Sequence, residues 1–277
     1  MRLLFIGDVV GRAGRAVLLE KLPEIRRRWA LDFVVVNGEN AAGGFGITEA
    51  ICDEFLAAGA DCVTLGNHAF DQREALVFIE RQERLIRPVN YPPGTPGRGS
   101  YLYEGANGHR VLVCNVLGRV FMDAMDDPFA AIEREIAACP LGLGCDAAIF
   151  DVHAEASSEK QAIGHFLDGR VSLVVGTHTH VPTADAQILP AGTAYQTDVG
   201  MSGPYESIIG RKIDRVLAGV LSPVPCRFDV ATGDVRLHGA LIEIDPITGK
   251  ADRIVRVRID QEQARRLLTD PTSVAPY

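Results

Sequence analysis

Within its first 180 residues this chain repeats one pattern five times: a short apolar run that stops at a glycine or turn carrying an acidic, amide or imidazole side chain. The runs are Arg2–Gly7 before Asp8, Phe33–Val36 before Asn37-Gly38-Glu39-Asn40, and Cys62–Leu65 before Gly66-Asn67-His68. Ala147–Phe150 then leads through Asp151-Val152 to His153, and Val171–Val175 leads through Gly176-Thr177 to His178-Thr179-His180. Continuous apolar runs of this length read as buried strands. Stretches of helical spacing separate them. Gly11 to about Trp29 has an apolar stripe at Ala16, Val17, Leu19, Leu22 and Ile25, and further helices are expected from Thr48, which can cap, over Asp71–Glu80, Pro128–Ala138 and Ser157–Leu167. Strand–helix alternation with right-handed crossovers brings every strand's carboxyl end to one edge, where open α/β folds keep their ligand sites.

Elsewhere the pattern changes. Ser100–Tyr103 and Arg110–Val116 read as a hairpin across Asn107-Gly108, and Tyr91–Gly99, dense in proline and glycine, reads as a surface excursion. Beyond Pro182 the chain turns to short strands at Gln187–Leu189, Ala194–Thr197, Arg227–Val230, Asp234–Ile244 and Arg253–Ile259, with tight turns at Thr232-Gly233 and Thr248-Gly249. The expected fold is α/β, with two facing mixed β-sheets flanked by helices. With no linker in sight, residues 1–277 read as one domain, an alternating half at 1–180 and a mainly β half at 181–277.

A formal charge of −8 argues against a sequence-independent hold on nucleic acid backbone, which needs clustered cations. The one basic run, Arg26-Arg27-Arg28, falls late in an expected helix, where it suits the helix dipole as a solvated face. Asp8 interrupts the apolar N-terminus, no cleavage site follows, and no segment approaches a membrane span. Six scattered cysteines (Cys52, Cys62, Cys114, Cys139, Cys145 and Cys226) without a CxxC pair read as reduced thiols of a cytoplasmic protein.

Read along the strand-end edge, the chain offers Asp8, Glu39, Asn40, Asn67, His68, His153, His178 and His180. His178 and His180, two apart on an extended segment, project to one side. Oxygen and imidazole donors without a thiol suit Mn, Fe or Zn. Each residue also has a plain structural use: Asp8 as a helix cap, Glu39 as a solvated carboxylate, Asn40 and Asn67 as turn residues, His153 as a core histidine. Five strands ending alike by coincidence is the harder supposition. A dinucleotide reading of Gly7, Gly11 and Gly14 fails, because the spacing is not GxGxxG and Asp8 would repel a pyrophosphate. His109, His165 and His238 lie away from these strand ends and read as surface or core residues.

Gly7-Asp8, Gly38-Glu39-Asn40, Gly66-Asn67-His68, His153 and Gly176-Thr177-His178-Thr179-His180 resemble, in order and strand placement, the motifs of the calcineurin-like metallophosphoesterases. The stretches GDVVGRAGR, NGENAAGGFGIT, TLGNHAFD and GTHTHVPTAD more narrowly resemble the bacterial YmdB-like branch, over essentially the whole chain. Two positions depart from the broad pattern: Val10 stands where a histidine is usual, and Glu39 where the bridging carboxylate is usually Asp. Asn40 is placed to replace the missing imidazole with a harder amide oxygen, which favours Mn or Fe.

The resemblance implies two metal ions, most readily Fe or Mn with Zn as an alternative. One would be held by Asp8, Glu39, Asn40 and His180, the other by Glu39, Asn67, His153 and His178. Glu39 and a bridging hydroxide would lie between them. It implies hydrolysis of small cyclic nucleotides, 2′,3′-cyclic ones above all, with His68 donating to the leaving oxygen or the phosphoryl group. Asp71 is a candidate to orient His68, with capping of its own helix the other use. Tyr195–Ser207 is a candidate cover for the pocket, with Asp198 touching substrate. The competing functions are a phosphomonoesterase or phosphoprotein phosphatase, and a metal-bound regulatory protein acting through a partner. A small nucleotide, with no stable nucleic acid and no membrane, is the expected partner, and apolar strands of the last third are candidates for pairing between subunits.

Overall fold

The structure, a computed structural model, describes residues 1–105, 108–222 and 227–260. Asn107 of the expected hairpin turn and Cys226 lie outside them. The elements run β1 (Arg2–Ile6), α1 (Gly11–Arg28), β2 (Phe33–Asn37), α2 (Glu49–Ala57), β3 (Cys62–Thr64), α3 (Ala75–Phe78), β4 (Leu85–Ile86), β5 (Ser100–Glu104) and β6 (Arg110–Leu117). There follow α4 (Pro128–Ala138), β7 (Ala147–His153), α5 (Ser157–Phe166), β8 (Leu173–Thr177), β9 (Gln187–Ile188), β10 (Ala194–Gln196), β11 (Gly203–Pro204), α6 (Ile213–Leu221), β12 (Val235–Ile244) and β13 (Ala251–Ile259).

Two mixed sheets result. In the first, β1, β2, β3 and β4 lie parallel, β12 pairs antiparallel with β1, and β11 and β13 both pair antiparallel with β12. In the second, β6, β7, β8 and β10 are parallel, with β5 and β9 antiparallel at the edges. β10, from the mainly β half, therefore joins the parallel strands of the second sheet.

The period of two along each strand builds the layers. Leu3, Phe5, Phe33 and Val35 of the first sheet meet Val111, Val113, Ile149, Leu173 and Val175 of the second in a shared core. The alternate residues Leu4, Ile6, Val34 and Val36 pack outward on Leu18 and Leu22 of α1 and Phe55 of α2. On the other flank Leu112, Phe150 and Val174 receive Ile132 and Ile136 of α4 and Ile163 of α5. Each such side chain, fully buried, contributes about 1.5–3 kcal/mol.

Two expected elements differ, and one helix is added. The helix over Asp71–Glu80 shrinks to α3, because Asp71 is held by His68 and Gln72 Nε2 donates to the Phe45 carbonyl at 2.7 Å; such local bonds compete with helix. Arg227–Val230 forms no strand, Val230 making only an isolated bridge with Arg211. α6 is an addition: it buries none of its residues, so no core pattern announced it. Among the described residues no helix is long and apolar enough to cross a membrane. The five described cysteines are all free thiols.

Candidate metal centre

The parallel strands of both sheets end on the same side, and a buried network ties those ends together. Asp151 of β7 accepts from Thr64 Oγ1 of β3 at 2.6 Å, from Asn37 Nδ2 of β2 at 3.1 Å, and from Thr177 Oγ1 of β8 at 2.7 Å. Asp151 is fully buried, which raises its carboxyl pKa; the facing His153 and these three donors oppose the rise. Asp151 thereby sets the spacing of the two sheets where Asp8, Glu39 and His153, all at most 1% exposed, converge.

Each histidine is presented by a partner on its outer nitrogen. His153 Nδ1 lies 2.8 Å from Thr177 Oγ1, whose own proton goes to Asp151, so the ring donates there. His180 Nδ1 donates to the Ile209 carbonyl at 3.0 Å, and His178 Nε2 faces the Glu155 carboxylate at 3.2 Å. A nitrogen that faces an acceptor carries the proton, so the other nitrogen of each neutral ring points a lone pair inward.

Those lone pairs meet other acceptors. His153 Nε2 lies 3.0 Å from Glu39 Oε1, 3.0 Å from Asn67 Oδ1 and 3.0 Å from His178 Nδ1. His180 Nε2 lies 3.1 Å from Asn40 Oδ1, and Asn40 is turned that way because its Nδ2 donates to the Gly44 carbonyl at 3.3 Å. Lone pairs facing lone pairs repel unless a proton or a cation lies between them. Ligand atoms about 2.1 Å from an ion in octahedral array stand about 3.0 Å from one another. The cluster has that spacing, and the ligand atoms of Glu39, His153 and His178 all fall within 4.8 Å of one another. The donor set fits a hard or borderline metal.

Charge tells the same story. Burial raises the Asp8 carboxyl well above its usual range; His153 opposes this, while the nearby Asp198, Glu39 and Asp151 add to it. Burial also works against Glu39, but the charge and hydrogen bond of His153, aided by His68, hold it at about 2. Burial alone would depress His153, yet Glu39, Asp8 and Asp151 lift it to about 9. Burial and the neighbouring His153 push His178 down to about 3. A proton on His153 Nε2 is thus one way to relieve the facing oxygens and carboxylates, and a bound cation would replace it, leaving the ring neutral.

All eight expected site residues lie at this edge, in distinct roles. Glu39, Asn67, His153 and His178 form one group, and Asn40 with His180 forms a second. Asp8 accepts the His178 backbone N–H at 3.3 Å on both carboxylate oxygens and lies 3.9 Å from His153 Nδ1. His68 stands outside the cluster: its backbone N–H donates to Glu39 Oε2 at 3.1 Å, and its Nδ1 pairs with Asp71 at 2.8 Å. Asp71 does not cap α3, which begins four residues later, so orienting His68 is its use here. Val10, where an imidazole was absent, is 1% exposed and lies against Gly203 and Gly210.

Tyr195–Ser207 is not a cover, because it supplies β10, β11 and the buried turn between them. Asp198 is fully buried beneath the histidine turn, out of a substrate's reach. It accepts from Lys160 Nζ at 2.8 Å and from Thr179 Oγ1 at 2.6 Å and backbone N–H at 3.2 Å. Asp151, Thr64, Thr177 and Lys160 were missed as support. Asp151 alone had a readable signal, a carboxylate inside an otherwise apolar run.

Comparison with known proteins places these features in a family. A model described as YmdB-like protein matches residues 4–257. The 2′,3′-cyclic-nucleotide 2′-phosphodiesterase of Bacillus subtilis (strain 168) is 46% identical over 262 residues, covering 95% of this chain and 98% of that one. A crystal structure of a hypothetical protein from Thermus thermophilus matches with a TM-score of 0.87 at 45% identity, covering 94% and 99% of the two chains. A crystal structure of a novel phosphatase from Mycoplasma pneumoniae also matches at a TM-score of 0.87, with 33% identity and 98% and 97% coverage.

Proposed function

This chain belongs to the YmdB-like family, and from that membership we propose that it is a dinuclear metal-dependent phosphodiesterase that hydrolyses small 2′,3′-cyclic nucleotides. The carrying observation is the inward convergence of histidine lone pairs, each tautomer set from outside, on the oxygens of Glu39, Asn67 and Asn40. Asp8, Glu39, Asn40 and His180 would hold one ion, and Glu39, Asn67, His153 and His178 the other. Bound there, two such ions would supply Lewis acidity toward water and toward phosphoryl oxygens. Fe or Mn suits the amide and carboxylate oxygens best.

The protein's own groups then do the positioning. Asp8 and Glu39 bring only −2 to the centre, and the other ligands are neutral, so a loaded site stays attractive to a phosphodiester in a chain of net charge −8. Asp71 holds His68 through Nδ1, leaving Nε2 to hydrogen-bond the departing ribose oxygen. Phe45, 44% exposed and 5.1 Å edge-on from the His68 ring, limits the swing of that imidazole. The substrate class follows the Bacillus relative. A phosphomonoesterase reading draws on the Mycoplasma neighbour, described as a phosphatase.

Elemental analysis of wild type and Glu39→Ala, paired with rates on 2′,3′-cyclic AMP, bis-p-nitrophenyl phosphate and p-nitrophenyl phosphate, tests this. The expected result is about two ions per chain, lost with activity in the variant, and diester rates above the monoester rate. Wild-type protein that stays inactive after Mn or Fe is supplied would overturn the proposal. Preference for the monoester would favour the phosphatase.

A further inference from the structure

A cavity of about 240 Å³ lies between the end of β10, the segment 199–205 and one face of β12 and β13. It shares no lining residue with the centre described above. That volume equals the liquid share of roughly eight waters. The wall formed by β12 and β13 is cationic. In the β12–β13 ladder His238 stands opposite Arg258 and Ala240 opposite Arg256, so the period of two sets Arg236, His238, Arg256 and Arg258 on one face. The alternate residues Leu237 and Ile259 point to the helix-covered core.

Partners at the rim hold these guanidiniums in place. Asp234 pairs with Arg236, Asp260 pairs with Arg258 at 3.2 Å, and Arg256 Nη1 donates to the Thr183 carbonyl at 3.4 Å. Like charges on neighbouring ladder positions repel. A protein of net charge −8 that concentrates arginine here favours an anion at this place.

The second observation is independent of charge. Three buried polar atoms of the lining residues have no hydrogen-bond partner among the described residues: His238 Nε2, Gln196 Oε1 and Arg258 Nε. His238 is 6% exposed and Gln196 1%. Gln196 spends its Nε2 on the carbonyls of Asp198 at 2.8 Å and Thr183 at 3.2 Å, which leaves Oε1 as an acceptor in want of a donor. Tyr205 lies between the Arg236 guanidinium, 4.7 Å from its centroid, and the stacked His238 ring at 4.8 Å, so the imidazole is held in place. A buried orphan costs about 1–3 kcal/mol, and proteins answer such atoms with a ligand or ordered water.

Guanidiniums and an imidazole N–H suit phosphoryl oxygens, while a lone amide oxygen suits a hydroxyl. We propose that this cavity is a second ligand site, taking a sugar phosphate: a phosphomonoester with a hydroxyl for Gln196 Oε1 and its phosphoryl group against Arg236, Arg258 and His238.

The test is calorimetric titration of the full-length protein with ribose 5-phosphate, in metal-loaded wild type and Arg258→Gln and in Glu39→Gln. Arg258 is 37% exposed, so its substitution leaves the core intact. The expected result is saturable binding retained in Glu39→Gln and weakened at least tenfold in Arg258→Gln. Wild-type crystals soaked in tungstate, a phosphate analogue with strong anomalous scattering, need no variant: a peak beside Arg258 and His238 is expected. Binding abolished by Glu39→Gln but kept in Arg258→Gln, no binding to wild type at about 10 mM, or only ordered water in the soaked cavity would each overturn the proposal.

Discussion

At His68 two contacts decide what the ring can do. Its backbone N–H is spent on Glu39 and its Nδ1 on Asp71, so the side chain adds no atom to the ligand cluster yet is tethered beside it. His68→Ala is therefore expected to reduce kcat by about 10²–10⁴-fold, the range for a general acid, with metal content unchanged. Elemental analysis beside steady-state rates checks this, and metal lost along with turnover would reassign His68 as a ligand. Gly66 illustrates the same closeness: a Cβ there would overlap Glu39 Oε2 and the His153 ring, so only glycine leaves the cluster its room.

Among the elements, the turn after β8 is the one under tension. His178 and His180 take φ of 93° and 65°, a left-handed conformation costing roughly 1–2 kcal/mol for each residue with a Cβ. The Asp198 carboxylate grips Thr179 between them and is itself neutralised by Lys160, reaching from α5. Lys160→Met leaves a buried carboxylate without its cation, and about 3–5 kcal/mol of stability should go with it. The double variant Lys160→Met/Asp198→Asn should recover part of that. Urea denaturation of the three proteins reads the difference, and a Lys160→Met midpoint equal to wild type would show that the clamp does not hold the turn.

For the whole molecule, the consequential titration outside the metal cluster is that of His238. Burial first, then Arg236, Arg258 and Arg256, push it down to about 4. An unfolded histidine titrates near 6.5, so between about pH 6.5 and 4 the unfolded chain binds the extra proton. The stability from keeping this ring neutral is present above about pH 6.5 and is lost as the pH falls toward 4. Between pH 7 and 5 wild type should lose about 2 kcal/mol more than His238→Gln. Denaturation curves in buffers without phosphate or sulfate measure it, and equal losses would remove His238 as the cause.

The sequence by itself determined the strand-and-helix alternation and the two facing sheets, and it pointed all eight candidate residues to one edge. Short apolar runs ending in Asp8, Glu39, Asn67, His153 and His178 are local patterns, and the handedness of crossovers sends their ends to one edge. The tertiary structure alone decided the support of that edge. Asp151 joins Asn37, Thr64 and Thr177 from three other strands, and Lys160 meets Asp198 across 38 positions of chain. Asp71 illustrates the boundary: its sequence position allowed either a cap or a partner for His68, and the fold chose the partner. The pairing of His238 with Arg258 depended likewise on the register of β12 against β13. Periodicity reports which face a residue takes, whereas a partner distant in sequence depends on how whole sheets and helices pack, and no local pattern encodes that.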